Sequence, residues 1–304
     1  MEKEIPTAPE ALALSYLPPA LASRVSAAAA LWGGHFEELR LSLWGQAMLV
    51  CGGRAVRLGF APTAAELAQT VRALCGGSLY AHADTIRSGF IFTAEGLRAG
   101  VCGRAVCRGG DLEAVEEITS LCLRVPRRIP AAADALLPLV CRPEGLFGLL
   151  IWSPPGVGKT TALRALAERL GAREPPLRVA VIDTRFELSD GGLAGVDCFR
   201  GYPSAAGMEI AVRTMSPDVL LCDEIAGEAD ASAVCAAAAA GVTVVATAHA
   251  GAAADLRRRA DLAPLLEAGI FPALAGLRRQ GDVVSCKITT PEGEGIECRA
   301  SEAR

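Results

Sequence analysis

Nine consecutive residues hold the densest chemistry in this sequence: Ser153-Pro154-Pro155-Gly156-Val157-Gly158-Lys159-Thr160-Thr161. Glycines at 156 and 158 let backbone N–H groups turn inward around phosphate oxygens, and a helix starting there adds partial positive charge. Lys159 would then reach the β- and γ-phosphates of a nucleotide, and the Thr160 hydroxyl would ligate magnesium. The run follows apolar Phe147–Trp152 and opens a helical segment from Thr160 to Leu170, closed by Gly171, which is the strand–loop–helix setting a P-loop requires. Ser153 stands where the consensus has its first glycine. The competing reading is an ordinary glycine-rich turn, and a Gly-Lys-Thr-Thr core in this setting outweighs it.

Downstream, Val219-Leu220-Leu221-Cys222-Asp223-Glu224 is an apolar run ending in two carboxylates. A buried strand that aims Asp223 at magnesium, directly or through water, is the Walker B arrangement, and the adjacent Glu224 can polarise an attacking water. Such a run is common by itself. Coupled to a P-loop and separated from it by another strand, it points to the additional-strand, catalytic-glutamate class of NTPases. Two more apolar runs end in polar residues. Val179–Asp183 is followed by Thr184-Arg185-Phe186-Glu187, and Val242–Ala248 ends in His249. Ligands of open parallel sheets bind at the carboxyl ends of strands, so Asp183, Glu187 and His249 fall where phosphates would lie. Singly, Asp183 reads as a helix cap, Glu187 as a solvated charge and His249 as a satisfied loop residue. Their shared edge gives them a catalytic or γ-phosphate-sensing role. The expected catalytic set is Glu224, Glu187 and His249, with Thr160 and Asp223 as metal ligands, and ATP and Mg2+ as the bound species.

These residues need a scaffold. From Gly145 apolar strands alternate with helices, at Phe147–Trp152, Arg178–Asp183, Val219–Asp223 and Val242–Ala246, the rhythm of a parallel α/β sheet. A hairpin is expected around Gly281-Asp282. The fold class is therefore α/β, a RecA-like P-loop NTPase domain with a predominantly parallel sheet over 141–304, preceded by a smaller α+β domain over 1–140. In that first domain Leu39–Leu43 alternates like a half-buried strand, and Thr63 to Leu74 puts Leu67, Val71 and Leu74 on one helical face behind a Thr63/Glu66 capping box. Gly89 to Ala105 reads as two strands around a turn near Ala94-Glu95-Gly96, and Asp111 to Leu121 as a helix. Val125-Pro126-Arg127-Arg128-Ile129-Pro130 would carry the connection between the domains.

Composition sets the outer limits. The 304 residues are 51% hydrophobic and 21% charged, which is globular, and a net charge of −4 argues against sequence-independent grip on a phosphate backbone. Lys3, Lys159 and Lys287 are the only lysines, which makes the one inside a motif more noticeable. Eleven scattered cysteines lack zinc-site spacing and read as reduced thiols. Met1-Glu2-Lys3-Glu4 does not resemble a signal peptide. The charge-free stretch between Asp230 and Asp255 is long enough to span a bilayer, but it parses as an Ala-rich helix and a β-branched strand broken at Gly241, so no transmembrane segment is expected.

The order of these motifs resembles the type II/IV secretion ATPase superfamily: Walker A, an Asp box with Asp183 and Glu187, Walker B with Asp223 and Glu224, and a His box with His249. Within it the chain resembles the stage III sporulation protein AA family of spore-forming bacteria, on Ser153-Pro154-Pro155 before the P-loop core, Arg213–Asp218 before Walker B, Thr247-Ala248-His249, and in the first domain Ser78–Ala81, Gly89–Ile91 and Arg98–Val106. The resemblance runs from about Glu37 to His249. It implies a ring-forming ATPase, a homo-oligomer of hexameric type, peripheral to a membrane on its cytoplasmic face and working with membrane channel proteins. In the sporulation family that channel joins mother cell and forespore, with the enzyme on the mother-cell side. The family usually has an acidic residue where this chain has Thr184, and Gly-Arg where it has Ala226-Gly227, so one arginine is missing. Arg185 and Arg213 near the motifs, or Arg98, Arg104 and Arg124 supplied by a neighbouring subunit, are the candidates to replace it. Two other readings stand beside the motor: an ATP-binding structural subunit with little hydrolysis, and a RecA-like nucleic-acid motor, which the acidic balance disfavours.

Overall fold

A computed structural model describes residues 9–93, 95, 97–125, 129–189, 192–280, 283–293 and 295–298. The chain divides into two compact units, Met1–Arg127 and Arg128–Arg304.

The first unit opens with helices α1 (Pro9–Ser15) and α2 (Pro19–Ala30), the latter started by a proline at its first turn and burying Leu21, Val25 and Ala29 along one face. Then come strands β1 (Glu38–Ser42), β2 (Met48–Cys51) and β3 (Arg54–Arg57), helices α3 (Ala64–Leu74) and α4 (Ala83–Arg87), and strands β4 (Phe90–Phe92), β5 (Arg98–Arg108) and β6 (Asp111–Arg124). The strands pair antiparallel in the order β3-β2-β1-β6-β5-β4. Leu39 and Leu41 point into the core from β1, and the Thr63/Glu66 capping box starts α3, whose Leu67, Val71 and Leu74 meet them there.

The helix expected over Asp111–Leu121 is a strand. Gly109 and Gly110 both sit at positive φ (63° and 96°), as tight two-residue hairpin turns need, and Arg108 pairs directly with Asp111 across them. The hairpin pairs the backbone with β5 in place of helical bonds, and β-branched Val115, Ile118 and Thr119 suit a pleated surface. Ala94 and Gly96 of the expected turn, Pro126-Arg127-Arg128 of the expected connection, and Gly281-Asp282 lie outside the described residues.

The second unit begins earlier than residue 141. Ala133, Leu136 and Val140 are buried in the same core as the helix after the P-loop, so packing assigns this segment to the second unit. Its elements are α5 (Leu137–Val140), the short β7 (Cys141–Arg142) and β8 (Gly145–Leu146), β9 (Leu149–Ser153), α6 (Lys159–Gly171), β10 (Val179–Asp183), β11 (Val196–Arg200), α7 (Ser204–Met215), β12 (Val219–Cys222), α8 (Glu228–Ala239), β13 (Thr243–His249), α9 (Ala253–Leu256), α10 (Ala263–Glu267), β14 (Ala273–Gln280), β15 (Val283–Thr289) and β16 (Gly295–Cys298). The large sheet runs β11-β10-β12-β13-β9-β14-β15-β16, parallel from β11 to β14 and antiparallel at the β14–β15–β16 edge.

Alternate residues of each central strand feed opposite cores. Leu149, Ile151, Val181, Leu221 and Val245 pack with α6, whereas Leu150, Trp152, Ile182, Leu220 and Val244 pack with α7 and α8. Burial on both faces is why these strands are apolar throughout rather than alternating. The charge-free stretch after Asp230 splits at Gly241 into α8 and β13, and among the described residues no helix is long and apolar enough to cross a membrane. β13 lies between β9 and β12, so the carboxyl ends of β9, β10, β12 and β13 share one edge.

Candidate nucleotide-binding site

The P-loop connects β9 to α6. Ser153, fully buried at the strand end, donates its hydroxyl to Pro154 O at 2.7 Å. Gly156 and Gly158 turn at φ 74° and 124°, a conformation side chains oppose. Gly158 occupies the cap position of α6 and has no side chain to satisfy the first helical amides, which leaves them for an anion.

Lys159 is 7% exposed. Its Nζ lies 3.4 Å from Ser153 O and 2.9 Å from His249 Nδ1. Burial pushes the ammonium's pKa down, and Glu224 and Asp223 act against that. The other nitrogen of the same imidazole, His249 Nε2, is 3.8 Å from Glu224 Oε1, and Arg185 Nη2 is 3.3 Å from Glu224 Oε2. One histidine thus bridges Lys159 and Glu224.

Thr160 donates its hydroxyl to Asp223 Oδ1 at 3.3 Å. Burial first, then the charges of Glu187 and Asp183, push the Asp223 carboxyl up to about 6, with Thr160 and Arg185 opposing. The Thr160 and Asp223 oxygens, set beside further carboxylates in a desolvated corner, are a donor set suited to a hard divalent cation. A pKa raised in the folded state means that the group's contribution to stability is present at low pH and lost as pH rises through about 6. Asp223→Asn is therefore expected to stabilise the metal-free chain at pH 7, by at least the 2–4 °C or so that about 1 kcal/mol represents in a unit of this size, and to flatten the pH dependence between 4 and 7. Thermal unfolding of both proteins across that pH range measures it, and an unchanged midpoint at pH 7 would remove the strained carboxylate from the account.

Asp183 has a different job from the one its position suggested. It is fully buried, and its carboxylate accepts from Glu187 N at 2.9 Å and from Ser189 N and Oγ at 2.8 and 2.5 Å. It clasps its own following loop, as a cap would. Phe186 in that loop has φ 59°, with its ring against Gly201, and Arg200 Nη2 holds Ser189 O at 3.0 Å. These contacts fix the backbone that presents Arg185 to Glu224 and places the Glu187 charge by Asp223.

Of the candidate arginines in the first unit, Arg104 pairs with Glu116 and Glu117, Arg124 with Glu38, and Arg98 lies over the Phe90 ring. Arg259 belongs to no motif, yet it reaches this edge. Its Nη1 is 3.2 Å from His249 O and its Nη2 is 2.9 Å from Ile225 O, while its Nε is 3.0 Å from Asp261 Oδ1. The available signal was an Arg257-Arg258-Arg259 run soon after the histidine.

A P-loop opening a helix, an apolar strand ending in Asp-Glu and a strand inserted between them define a P-loop NTPase fold. Comparisons with solved structures agree. The ATPase DotB of Legionella pneumophila matches with a TM-score of 0.60 at 17% identity, over 96% of this chain and 84% of that one. The pilus retraction motor PilT, solved with bound ADP, matches with a TM-score of 0.63 at 17% identity, over 88% and 82%. The family model for sporulation stage III, protein AA, matches residues 23–283. Stage III sporulation protein AA of Bacillus subtilis (strain 168) is 31% identical over 255 residues, 80% of this chain and 82% of that protein. The chain belongs to the stage III sporulation protein AA family.

Proposed function

We propose that this chain is a magnesium-dependent ATPase of RecA-like form that assembles into a ring, a hexamer, and drives or assembles a secretion-like channel between mother cell and forespore. It would act at the membrane surface, on the cytoplasmic, mother-cell side. The observation that carries the reading is the convergence of Lys159, Thr160, Asp223, Glu224 and His249 at one sheet edge, with Thr160 Oγ1 3.3 Å from Asp223 Oδ1. Family membership supports the sporulation setting.

The residues divide the work by charge. The segment Ser153–Thr161 wraps the phosphates with backbone amides, and Lys159 exchanges His249 for phosphate oxygen. Thr160 and Asp223 would hold magnesium, which would supply positive charge against the phosphates. Glu224 orients the attacking water and accepts its proton. Freed from Lys159, His249 reports whether the lysine is engaged. Glu187 keeps the acidic corner attractive to the cation.

A second reading, an ATP-binding subunit that barely hydrolyses, draws on Arg185 and His249 both engaging Glu224. A steady-state ATPase assay combined with sizing in MgATP separates the two. The motor reading expects turnover per subunit to rise with protein concentration as rings form, and mixing Lys159→Ala with Arg124→Ala subunits to restore part of the activity through an arginine in trans, which contributes roughly 10³–10⁵ in rate where such fingers act. Concentration-independent turnover by a monomer, with no rescue on mixing, refutes the shared site.

A further inference from the structure

The parallel ladder between β12 and β13 ends at the pair Cys222 and Ala246. The residues that matter come just after it: Asp223 and Glu224 on one strand end, Thr247 to His249 on the other. Beyond the ladder, Ile225 N donates to Thr247 O at 3.0 Å and the Thr247 hydroxyl donates to Asp223 O. Neither contact fixes His249 itself against the segment that carries Glu224. Arg259 does. Its two terminal nitrogens reach His249 O and Ile225 O at 3.2 and 2.9 Å, so one planar group spans both strand ends.

The arginine is in turn held in place. Asp261 accepts from its Nε at 3.0 Å and from Nη2 on the same fork. Leu262 N and Ala263 N donate to its carbonyl at 3.1 and 2.9 Å, and Leu256 and Leu262, fully buried on either side, anchor the backbone in the core. The side chain is 28% exposed. A lysine could not replace it, since an ammonium on a flexible stem lacks the fixed fork that addresses two carbonyls and a carboxylate at once.

We propose that Arg259 is a positioning residue: by bridging the His249 and Ile225 carbonyls it sets the separation of His249 and Glu224, and with it the geometry of the water-activating edge. This rests on the ATPase reading above. It predicts a loss in turnover rather than in nucleotide affinity, because Arg259 bonds neither Thr160 nor the P-loop amides, and Lys159 gives up His249 for phosphate oxygen when nucleotide binds. A displacement of about 1 Å at a reacting edge costs about 100-fold in rate.

The test uses the full chain with Arg259→Ala and, should that variant fold poorly, Arg259→Gln, whose amide can serve only one carbonyl. Three readouts are taken: kcat and KM for ATP, the Kd for MgADP, and amide hydrogen exchange. The expected result is kcat down about 100-fold with KM and Kd unchanged. Guanidinium ion at low millimolar concentration should restore part of kcat in Arg259→Ala and do nothing for Arg259→Lys. Exchange should accelerate at Ile225 and Ala250, whose amides bond to Thr247 O and Ser153 O, and stay slow at Leu220 and Leu221 within the ladder. Unchanged kcat, a parallel loss of nucleotide affinity, or faster exchange throughout the unit would each overturn the proposal, the last by making Arg259 a general structural support. If the wild-type chain binds MgADP but does not hydrolyse ATP, the motor reading falls, and the exchange pattern at Ile225 and Ala250 still decides whether Arg259 couples the two strand ends.

Discussion

Lys159→Ala is expected to abolish tight ATP binding and turnover while leaving the fold intact. The ammonium it removes is the positive charge set among the P-loop, with Glu224 and Asp223 close enough to raise its pKa against the effect of burial. Without it, nucleotide phosphates would enter a corner where burial, and then the charges of Glu187 and Asp183, already lift the Asp223 carboxyl to about 6. Removing one preorganised donor from such a site costs about 10²–10³ in rate, and here the donor also opposes net negative charge. Stability should hold, because residue 159 begins α6, where alanine is an excellent helix former, and the lost partners are Ser153 and His249 rather than the hydrophobic core. Isothermal titration with MgATP and circular dichroism check both halves. An undiminished affinity in the variant sinks the P-loop assignment.

Glu224→Gln should separate binding from chemistry. The amide has the same shape but cannot take a proton from water, and losing a positioned general base typically costs about 10²–10⁴ in rate. ATP affinity should survive or rise, since the variant removes a negative charge from a site for an anion. The Arg185 ion pair at 3.3 Å and the His249 contact at 3.8 Å both weaken, which frees His249 without disturbing its bond to Lys159. Single-turnover measurements with radiolabelled ATP resolve the chemical step. Normal turnover would transfer the role to another carboxylate, and Glu187, whose charge already acts on Asp223, is the next to test.

The parts of the site that could be read from the sequence are those whose physics is local. A phosphate cradle is built from consecutive backbone amides, so Gly156, Gly158 and Lys159 announce it by spacing alone. Strands buried on both faces must be apolar throughout, so Val219–Cys222 and Val179–Ile182 stood out, and the carboxylates after them fell at the strand ends. The capping box of α3 is likewise a four-residue affair. For β6 the decisive feature, Gly109-Gly110 ahead of it, acts through pairing with β5, which no pattern within 111–121 records. The contacts of Asp183 and Arg259 lie outside any local pattern for a related reason. Whether a carboxylate faces a ligand or its own loop depends on where six following residues go, and Arg259 acts on carbonyls of residues 225 and 249, which share no sequence pattern with it. The domain boundary shifted because Ala133, Leu136 and Val140 pack with α6 from a distance that periodicity does not record.

The pairing of β9 with β14 sets Trp152 against Gly276, where even a Cβ would lie 2.4 Å from the indole, so glycine there makes room for the ring. Trp152 is 4% exposed and immediately precedes the P-loop, whereas Trp32 and Trp44, the other two tryptophans, are 49% and 82% exposed. The three therefore differ optically. Trp32 and Trp44 emit from water and yield to a soluble quencher such as acrylamide, while Trp152 emits at shorter wavelength and resists it. With phenylalanine at 32 and 44, the remaining fluorescence comes from the strand that ends at the phosphate loop, and nucleotide arrival can be followed in a stopped-flow instrument without any attached dye.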